Sequence, residues 1–159
     1  MPELDIYDEL RKLISLLDEH EIDYALCGGL AMAIHARPRS TIDIDMLVLA
    51  ETLEKLLPIA LKLGYNIRGK DLSFAKGVIE IRRVSKIDPE SGDLLSLDLL
   101  LVTPEIFQIW ESRTIADWEG GKLSVVSRSG LISLKKLRGS GQDQDDIKVL
   151  QSGDSNAES

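Results

Sequence analysis

Cysteine and histidine are scarce in this chain of 159 residues. Cys27 is the single cysteine, so an internal disulfide is excluded, and we expect a reducing, cytoplasmic compartment. With only two histidines beside it, the sequence has no adequate ligand set for zinc. The scarcity of both residue types therefore excludes disulfide scaffolds and zinc enzymes.

Long apolar runs and an excess of positive charge are also missing. No stretch approaches the roughly 20 apolar residues that span a bilayer, and the opening residues 1–5 lack the basic start of a signal peptide. We therefore expect no membrane partner. A net charge of −8 argues against passive adhesion to nucleic acid, but it is compatible with recruitment of divalent cations.

Composition and pattern predict one domain of the α+β class. Apolar residues make up 43% of the chain and charged residues 29%, as in ordinary globular proteins. We expect a single domain over residues 1–150 and a disordered polar tail over residues 151–159. The predicted order is a helix, then a mixed β-sheet flanked by helices, then further helices.

Periodicity gives the predicted elements. Helices are predicted over residues 4–18, 30–35, 51–63, 131–137 and 143–150, and strands over residues 23–27, 41–48, 78–84, 94–102, 114–118 and 123–126. The last four strands are expected to form two hairpins. In the helix predicted at residues 51–63, Pro58 is a candidate kink and Gly64 is the expected C-cap. Ser127 or Ser129 is expected to cap the start of the helix predicted at 131–137.

Two aspartates share one face of the strand predicted at residues 41–48. Side chains alternate along a strand, so Asp43 and Asp45 point to the same side and Ile44 to the other. Two carboxylates held this close repel each other unless a cation lies between them. The pattern indicates a divalent metal site, although a solvated strand end is the commoner explanation of an isolated Asp-x-Asp.

A glycine pair precedes these aspartates by fifteen positions. Gly28 and Gly29 lie between a predicted strand and a predicted helix, where backbone N–H groups can bind phosphate. For Gly-Gly alone, a tight turn without a ligand is the commoner explanation. Combined with the aspartates, the pair favours metal-assisted phosphoryl or nucleotidyl transfer.

Asp98 is a third acid, placed in a strand that otherwise consists of large aliphatic residues. Burying an unpaired charge costs several kcal/mol. The cost falls if Asp98 faces the same cleft as Asp43 and Asp45, where three carboxylates could hold two Mg²⁺ ions about 3.5–4 Å apart. Asp98 would then be a general base or a ligand for the nucleophile. The alternative is an ion pair with Arg82 or Arg83 across the hairpin.

These residues together resemble the DNA polymerase β-like nucleotidyltransferase superfamily. Its signature is a Gly-Gly or Gly-Ser pair, a spacer, Asp-x-Asp on a strand and a later third acid, here Gly28-Gly29, Asp43-Ile-Asp45 and Asp98. The resemblance implies a minimal nucleotidyltransferase fold with a nucleoside triphosphate (NTP) as substrate. The glycines would bind the phosphates, and the three aspartates would be the catalytic and Mg²⁺-binding residues.

A narrower resemblance is to the nucleotidyltransferase toxins of type IV abortive-infection systems. It rests on Arg39-Ser-Thr41 before the Asp-x-Asp and on the segment 134–150. It implies nucleotide contacts by Arg39, Thr41, Lys135 or Lys136, and Asp143. Surface charge is the alternative for Arg39 and the two lysines, and helix capping for Asp143 and Asp146.

The chain departs from the toxin pattern in three ways. Gly29 stands where the toxins usually have Ser, Gln142 stands where a basic residue is common, and the helical C-terminal domain of the larger toxins is not found. The resemblance therefore implies a catalytic core, with an antitoxin partner or a homo-oligomer supplying the remaining acceptor-binding surface.

The sequence thus predicts Mg²⁺-dependent transfer of a nucleoside monophosphate from an NTP to a hydroxyl. RNA, a protein or a small molecule, an antibiotic among them, remain open as the acceptor. The main alternative is a catalytically inactive nucleotide-binding or regulatory partner of the same fold. The base preference and the oligomeric state are not determined by the sequence.

Overall fold

A computed structural model gives the structure of residues 6–28, 31, 43–89, 92–118 and 121–138. These ranges contain four α-helices: α1 (Ile6–Glu19), α2 (Leu53–Lys62), α3 (Phe107–Glu111) and α4 (Arg128–Arg138). They contain eight strands: β1 (Ala25–Cys27), β2 (Asp43–Val48), β3 (Ile67–Arg68), β4 (Leu72–Phe74), β5 (Ile79–Ile87), β6 (Leu94–Leu101), β7 (Thr114–Trp118) and β8 (Gly121–Val125). No helix within these ranges is long and apolar enough to cross a membrane.

The eight strands form one mixed sheet, which confirms the α+β class predicted from the sequence. Its order is β3-β5-β6-β2-β1-β8-β7, and β4 also pairs with β5. The pairs β2–β6 and β1–β8 are parallel, and the other pairs are antiparallel. The order places β2, which carries Asp43 and Asp45, in the middle of the sheet between β1 and β6.

One face of the central strands belongs to the hydrophobic core. Ile44 and Met46 on β2 and Leu97 and Leu99 on β6 are completely buried, because alternation directs them all to the same side. They join the apolar face of α1 in one core cluster, with Leu10, Leu13 and Leu17. The opposite face of the same strands is left to the aspartates.

A buried polar contact ties α1 to the sheet. Lys86 Nζ on β5 lies 2.5 Å from Glu9 Oε1, and the Tyr65 hydroxyl donates a hydrogen bond of 3.1 Å to the same oxygen. Burial, followed by the charge of Glu9, raises the pKa of Tyr65, so its hydroxyl stays a donor. Glu9 is buried, because Lys86 and Tyr65 enclose its carboxylate.

Most predicted elements with clear periodicity are present in the described ranges. Both hairpins are confirmed, as β5–β6 and β7–β8, and so is α2, which runs through Pro58 without interruption. Gly64 follows α2 with a φ of +100°, the left-handed conformation expected just after a helix end. The helices predicted at 30–35 and 143–150 and the tail at 151–159 lie outside the described residues, and the single-domain boundary stays a prediction.

Three short elements were not predicted. Strands β3 and β4 have two and three residues and pair along the outer edge of β5. Helix α3 has five residues and follows a single 3₁₀ turn at Pro104–Ile106. Segments this short do not complete a recognisable period, and it is their tertiary partners that stabilise them.

Candidate active site

The three candidate carboxylates lie on one face of two neighbouring strands. In the parallel register of β2 and β6, Asp45 is paired with Asp98, and Asp43 is paired with Ser96. Paired residues of adjacent strands project to the same side, so Asp98 faces the side of Asp43 and Asp45. Asp98 is buried, with 5% of its surface exposed, whereas Asp43 and Asp45 are half-buried.

Arg83 completes this cluster from the next strand. It is paired with Asp98 in the β5–β6 register, and its guanidinium donates two hydrogen bonds, from Nε to Oδ1 at 2.6 Å and from Nη2 to Oδ2 at 2.8 Å. Arg82 points to the other face and contacts Asp71 and Glu80 instead. Asp98 therefore shares the face of the other two aspartates, and it also forms the ion pair with Arg83 that was the alternative.

The charges of the cluster influence one another. Burial raises the pKa of Asp43, the charge of Asp98 raises it further, and Arg83 opposes both effects. The hydrogen bonds to Asp98 raise the pKa of Arg83 against the effect of burial, and the charges of Asp98, Asp43 and Asp45 add to the increase. Three carboxylates and one guanidinium thus form a single electrostatic unit.

Gly28 brings the end of β1 against the aspartates. Its φ is +72°, and a Cβ atom at this position would lie 2.7 Å from Cγ and 2.8 Å from Cβ of Asp45. The antiparallel pairing of Cys27 with Asp45 fixes this close approach. Both the backbone conformation and the lack of space require glycine here.

The other residues expected in the site are only partly described. Gly29, Arg39, Thr41 and Asp143 lie outside the described residues. On α4, the side chain of Lys135 is buried, with 4% of its surface exposed, whereas Lys136 is exposed. The roles of all these residues as nucleotide contacts stay predictions, and so does the choice between Lys135 and Lys136.

Two of the three aspartates have the ligand chemistry that Mg²⁺ needs. Asp43 and Asp45 supply the carboxylate oxygens that Mg²⁺ prefers, whereas both oxygens of Asp98 accept hydrogen bonds from Arg83. In the part of the chain that the structure describes, no group of three or more His, Cys, Asp or Glu side chains is arranged to hold a metal ion. By their chemistry, Asp43 and Asp45 are therefore suitable Mg²⁺ ligands. The metal and catalytic roles of all three aspartates stay predictions.

Arg83 is the site residue that sequence reasoning placed only among the alternatives. The available signal was the β5–β6 hairpin, in which Arg83 and Asp98 are fifteen residues apart. The register of the hairpin decides whether Arg82 or Arg83 faces Asp98, and the turn between residues 88 and 93 does not reveal that register.

Comparison with known proteins gives matches by structure only. No protein-family profile and no curated protein matches the chain in sequence. The lincosamide antibiotic adenylyltransferase LnuA, in its lincomycin-bound structure, matches with 18% identity and a TM-score of 0.57, over 91% of this chain and 96% of that one. The antibiotic-resistance factor ANT(2'')-Ia matches with 14% identity and a TM-score of 0.63, over 91% and 82%.

A third match is a Thermotoga maritima protein assigned to the nucleotidyltransferases, with 14% identity and a TM-score of 0.61 over 87% of this chain and 88% of that one. The chain has the nucleotidyltransferase fold. Identities this low establish the fold alone. The expected DNA polymerase β-like architecture is thereby confirmed, and the narrower likeness to abortive-infection toxins stays a prediction.

Proposed function

We propose that this protein transfers a nucleoside monophosphate from an NTP to a hydroxyl group in a Mg²⁺-dependent reaction. The observation that carries the proposal is the meeting of Asp43, Asp45 and Asp98 on one face of a nucleotidyltransferase sheet, with Gly28 against Asp45. In the proposed reaction, the phosphate chain of the NTP binds on the glycine side of this face, and the acceptor binds on the Asp98 side. Cys27 forms no disulfide, which supports a cytoplasmic location.

Each residue of the site has a distinct role in the proposed reaction. Asp43 and Asp45 would hold Mg²⁺, with Asp98 as a further ligand once Arg83 moves away from it, and the ion would supply charge neutralisation for the triphosphate. Gly28 and Gly29 bind phosphate oxygens through backbone N–H groups. Arg39, Thr41, Lys135 and Asp143 are proposed as further nucleotide contacts.

The chemical step forms one bond and breaks one. The acceptor oxygen attacks the α-phosphorus of the NTP, the bond from this phosphorus to the β-phosphate bridging oxygen breaks, and pyrophosphate leaves. Asp98 orients the acceptor hydroxyl and takes its proton, directly or through water. The products are an acceptor phosphodiester and pyrophosphate.

A small-molecule hydroxyl is the acceptor that we propose first. LnuA and ANT(2'')-Ia are antibiotic-modifying proteins, and the match extends over 96% and 82% of their chains. RNA or protein acceptors, as in a toxin–antitoxin system, are the alternatives that the assay below distinguishes.

The test is transfer of label from α-³²P-NTPs in the presence of Mg²⁺ to lincomycin, tobramycin, total RNA or the protein itself. Asp43→Asn is expected to abolish transfer, by at least about 1,000-fold, because it removes a charged ligand from the site. Asp117→Asn is the matched control, because Asp117 is an exposed aspartate of β7 with a surface partner, Lys122. Equal activity of wild type and Asp43→Asn would refute the mechanism.

A catalytically inactive nucleotide-binding protein is the second candidate, and the engagement of Asp98 by Arg83 favours it. Calorimetry with each NTP, with and without Mg²⁺, separates the two functions when it is combined with the transfer assay. Binding without transfer to any acceptor would favour the regulatory function, and transfer would exclude it.

A further inference from the structure

Arg83 and Asp98 form a bidentate ion pair within the site. Its two hydrogen bonds engage both carboxylate oxygens in the bidentate geometry that arginine forms with carboxylates. The side chain of Asp98 is 7% exposed and that of Arg83 is 39% exposed. The carboxylate is therefore held inside the protein, whereas the side chain of Arg83 is partly exposed to solvent.

A buried carboxylate needs a cation, and Arg83 supplies one in the absence of metal. Removing one partner of a buried ion pair is strongly destabilising because the other charge is left uncompensated. Asp43 and Asp45 lie on the same face, so the positive charge of Arg83 offsets part of their mutual repulsion as well. The cluster carries three negative charges and one positive charge.

A divalent cation entering the cluster meets the same guanidinium. Each oxygen of Asp98 keeps a lone pair, but a dication and a guanidinium on one carboxylate repel each other strongly at such short separations. If Arg83 stays on Asp98, this repulsion weakens binding of the metal. Tight binding of the metal therefore requires the guanidinium of Arg83 to move away. A long side chain that is 39% exposed is able to move.

We propose that Arg83 is the counter-ion of the metal-free acidic cluster and competes with the divalent cation for Asp98. Arg83 is in this sense a positioning residue that stabilises the empty site and weakens binding of metal alone. The triphosphate, which brings negative charge of its own, favours metal entry. The inference rests on the proposed function in so far as it assigns the metal to the same aspartates.

The experiment measures the affinity of the full chain for Mn²⁺ alone, without nucleotide, by electron paramagnetic resonance of the free ion. Arg83→Gln is expected to bind Mn²⁺ at least ten-fold more tightly than wild type, because it keeps a hydrogen-bonding side chain and removes the charge. Arg82→Gln is the matched control, because it makes the same change one residue away on the opposite face. We expect it to stay within two-fold of wild type.

The direction of the change in Mn²⁺ affinity shows whether Arg83 competes with the metal or only holds Asp98 in position. If Arg83 only held the carboxylate in place, Arg83→Gln would bind Mn²⁺ as weakly as wild type or more weakly, and either result overturns the proposal. A second readout is the melting temperature, which is expected to fall in metal-free Arg83→Gln and to rise with Mn²⁺ by more than it does in wild type.

Arg83→Lys covers the case in which Arg83→Gln does not fold. It keeps the charge but cannot donate two parallel hydrogen bonds. We expect its Mn²⁺ affinity to rise by at least three-fold, and no rise would overturn the proposal. Failure of this inference and failure of the proposed function differ, because unchanged Mn²⁺ affinity with intact transfer refutes only the inference. If Arg83→Gln binds Mn²⁺ more tightly but the wild-type protein transfers no nucleotide, only the proposed function is refuted.

Discussion

Gly28 and Asp45 depend on each other for their positions. The left-handed backbone of Gly28 lets the chain leave β1 sharply, and the missing side chain leaves space that the Asp45 carboxylate occupies. A glycine in a turn is common, but here the nearest atoms belong to a candidate metal ligand. The structure therefore gives Gly28 a role in the site beyond that of a turn residue.

Gly28→Ala tests this dependence. We expect a loss of about 1–2 kcal/mol in the free energy of unfolding from the positive φ. We also expect a loss of roughly 100-fold or more in transfer activity, because the added methyl group displaces Asp45. The two quantities are measured by urea unfolding and by the labelled-NTP assay.

Gly92→Ala is the matched control for this substitution. Gly92 has a similar φ of +77°, but no atom lies within 4 Å of the position that a Cβ would take. The control should lose similar stability and keep its activity. Equal activities of the two variants would show that Gly28 acts only as a turn.

The candidate site was predictable from residue types and order, but its contacts were not. Asp43 and Asp45 had to share a face because they are two residues apart on a strand. That Asp98 joins them depends on the parallel pairing of β2 with β6, between residues more than fifty positions apart. The pairing of Arg83 with Asp98 depends on a hairpin register that local sequence does not fix.

Helix α4 begins with a side-chain cap. The Ser127 Oγ accepts a hydrogen bond of 3.1 Å from the Gly130 N–H, as an N-cap does, and the sequence had left Ser127 and Ser129 as alternatives. Gly130 also lets this end of the helix approach α3, since a Cβ there would lie 3.0 Å from the Cγ2 of Ile109. The helix that carries Lys135 is thus positioned from its first turn.

Ser127→Ala and Ser129→Ala distinguish the two serines. We expect Ser127→Ala to lower the free energy of unfolding by about 1 kcal/mol, because the Gly130 N–H loses its acceptor. Ser129→Ala should cost less than about 0.5 kcal/mol. Urea unfolding monitored by circular dichroism measures both, and an equal or larger loss in Ser129→Ala would assign the cap to Ser129.

The long elements were predictable because each has a clear pattern of its own. The apolar positions of α1 recur every three to four residues, β5 alternates, and β6 is an apolar run on the other side of the turn residues. Strands β3 and β4 and helix α3 are too short to show such a pattern. Pairing with β5 holds the two strands in place, and the packing of the buried Trp110 holds the helix.

The whole fold brings distant parts of the chain to one sheet. Strand β8 pairs with β1 through Val125 and Leu26, so the segment that leads into α4 lies beside the strand that leads into Gly28. In α4, Lys135 points into the protein and Lys136 points to solvent. A buried ammonium group is retained only where anionic or polar partners surround it.

Lys135→Met is expected to lower the affinity for the NTP–Mg²⁺ complex by about ten-fold, in line with the loss of one charge-assisted hydrogen bond. Lys136→Met should leave the affinity within two-fold of wild type, because its side chain is exposed. Calorimetry measures both affinities, and melting temperatures report whether each variant is folded. Weakening by Lys136→Met alone would assign the nucleotide contact to Lys136.

The amino-acid order was enough for the fold class, the long elements and the choice of Asp43, Asp45 and Asp98 as candidates. These follow from local periodicity and from the cost of placing carboxylates in apolar strands, and both are properties of neighbouring residues. Strand order, the parallel register of β2 with β6, the burial of Lys135 and the guanidinium on Asp98 required the folded chain. They arise from contacts between segments far apart in sequence, whose energies depend on geometry that no local pattern encodes.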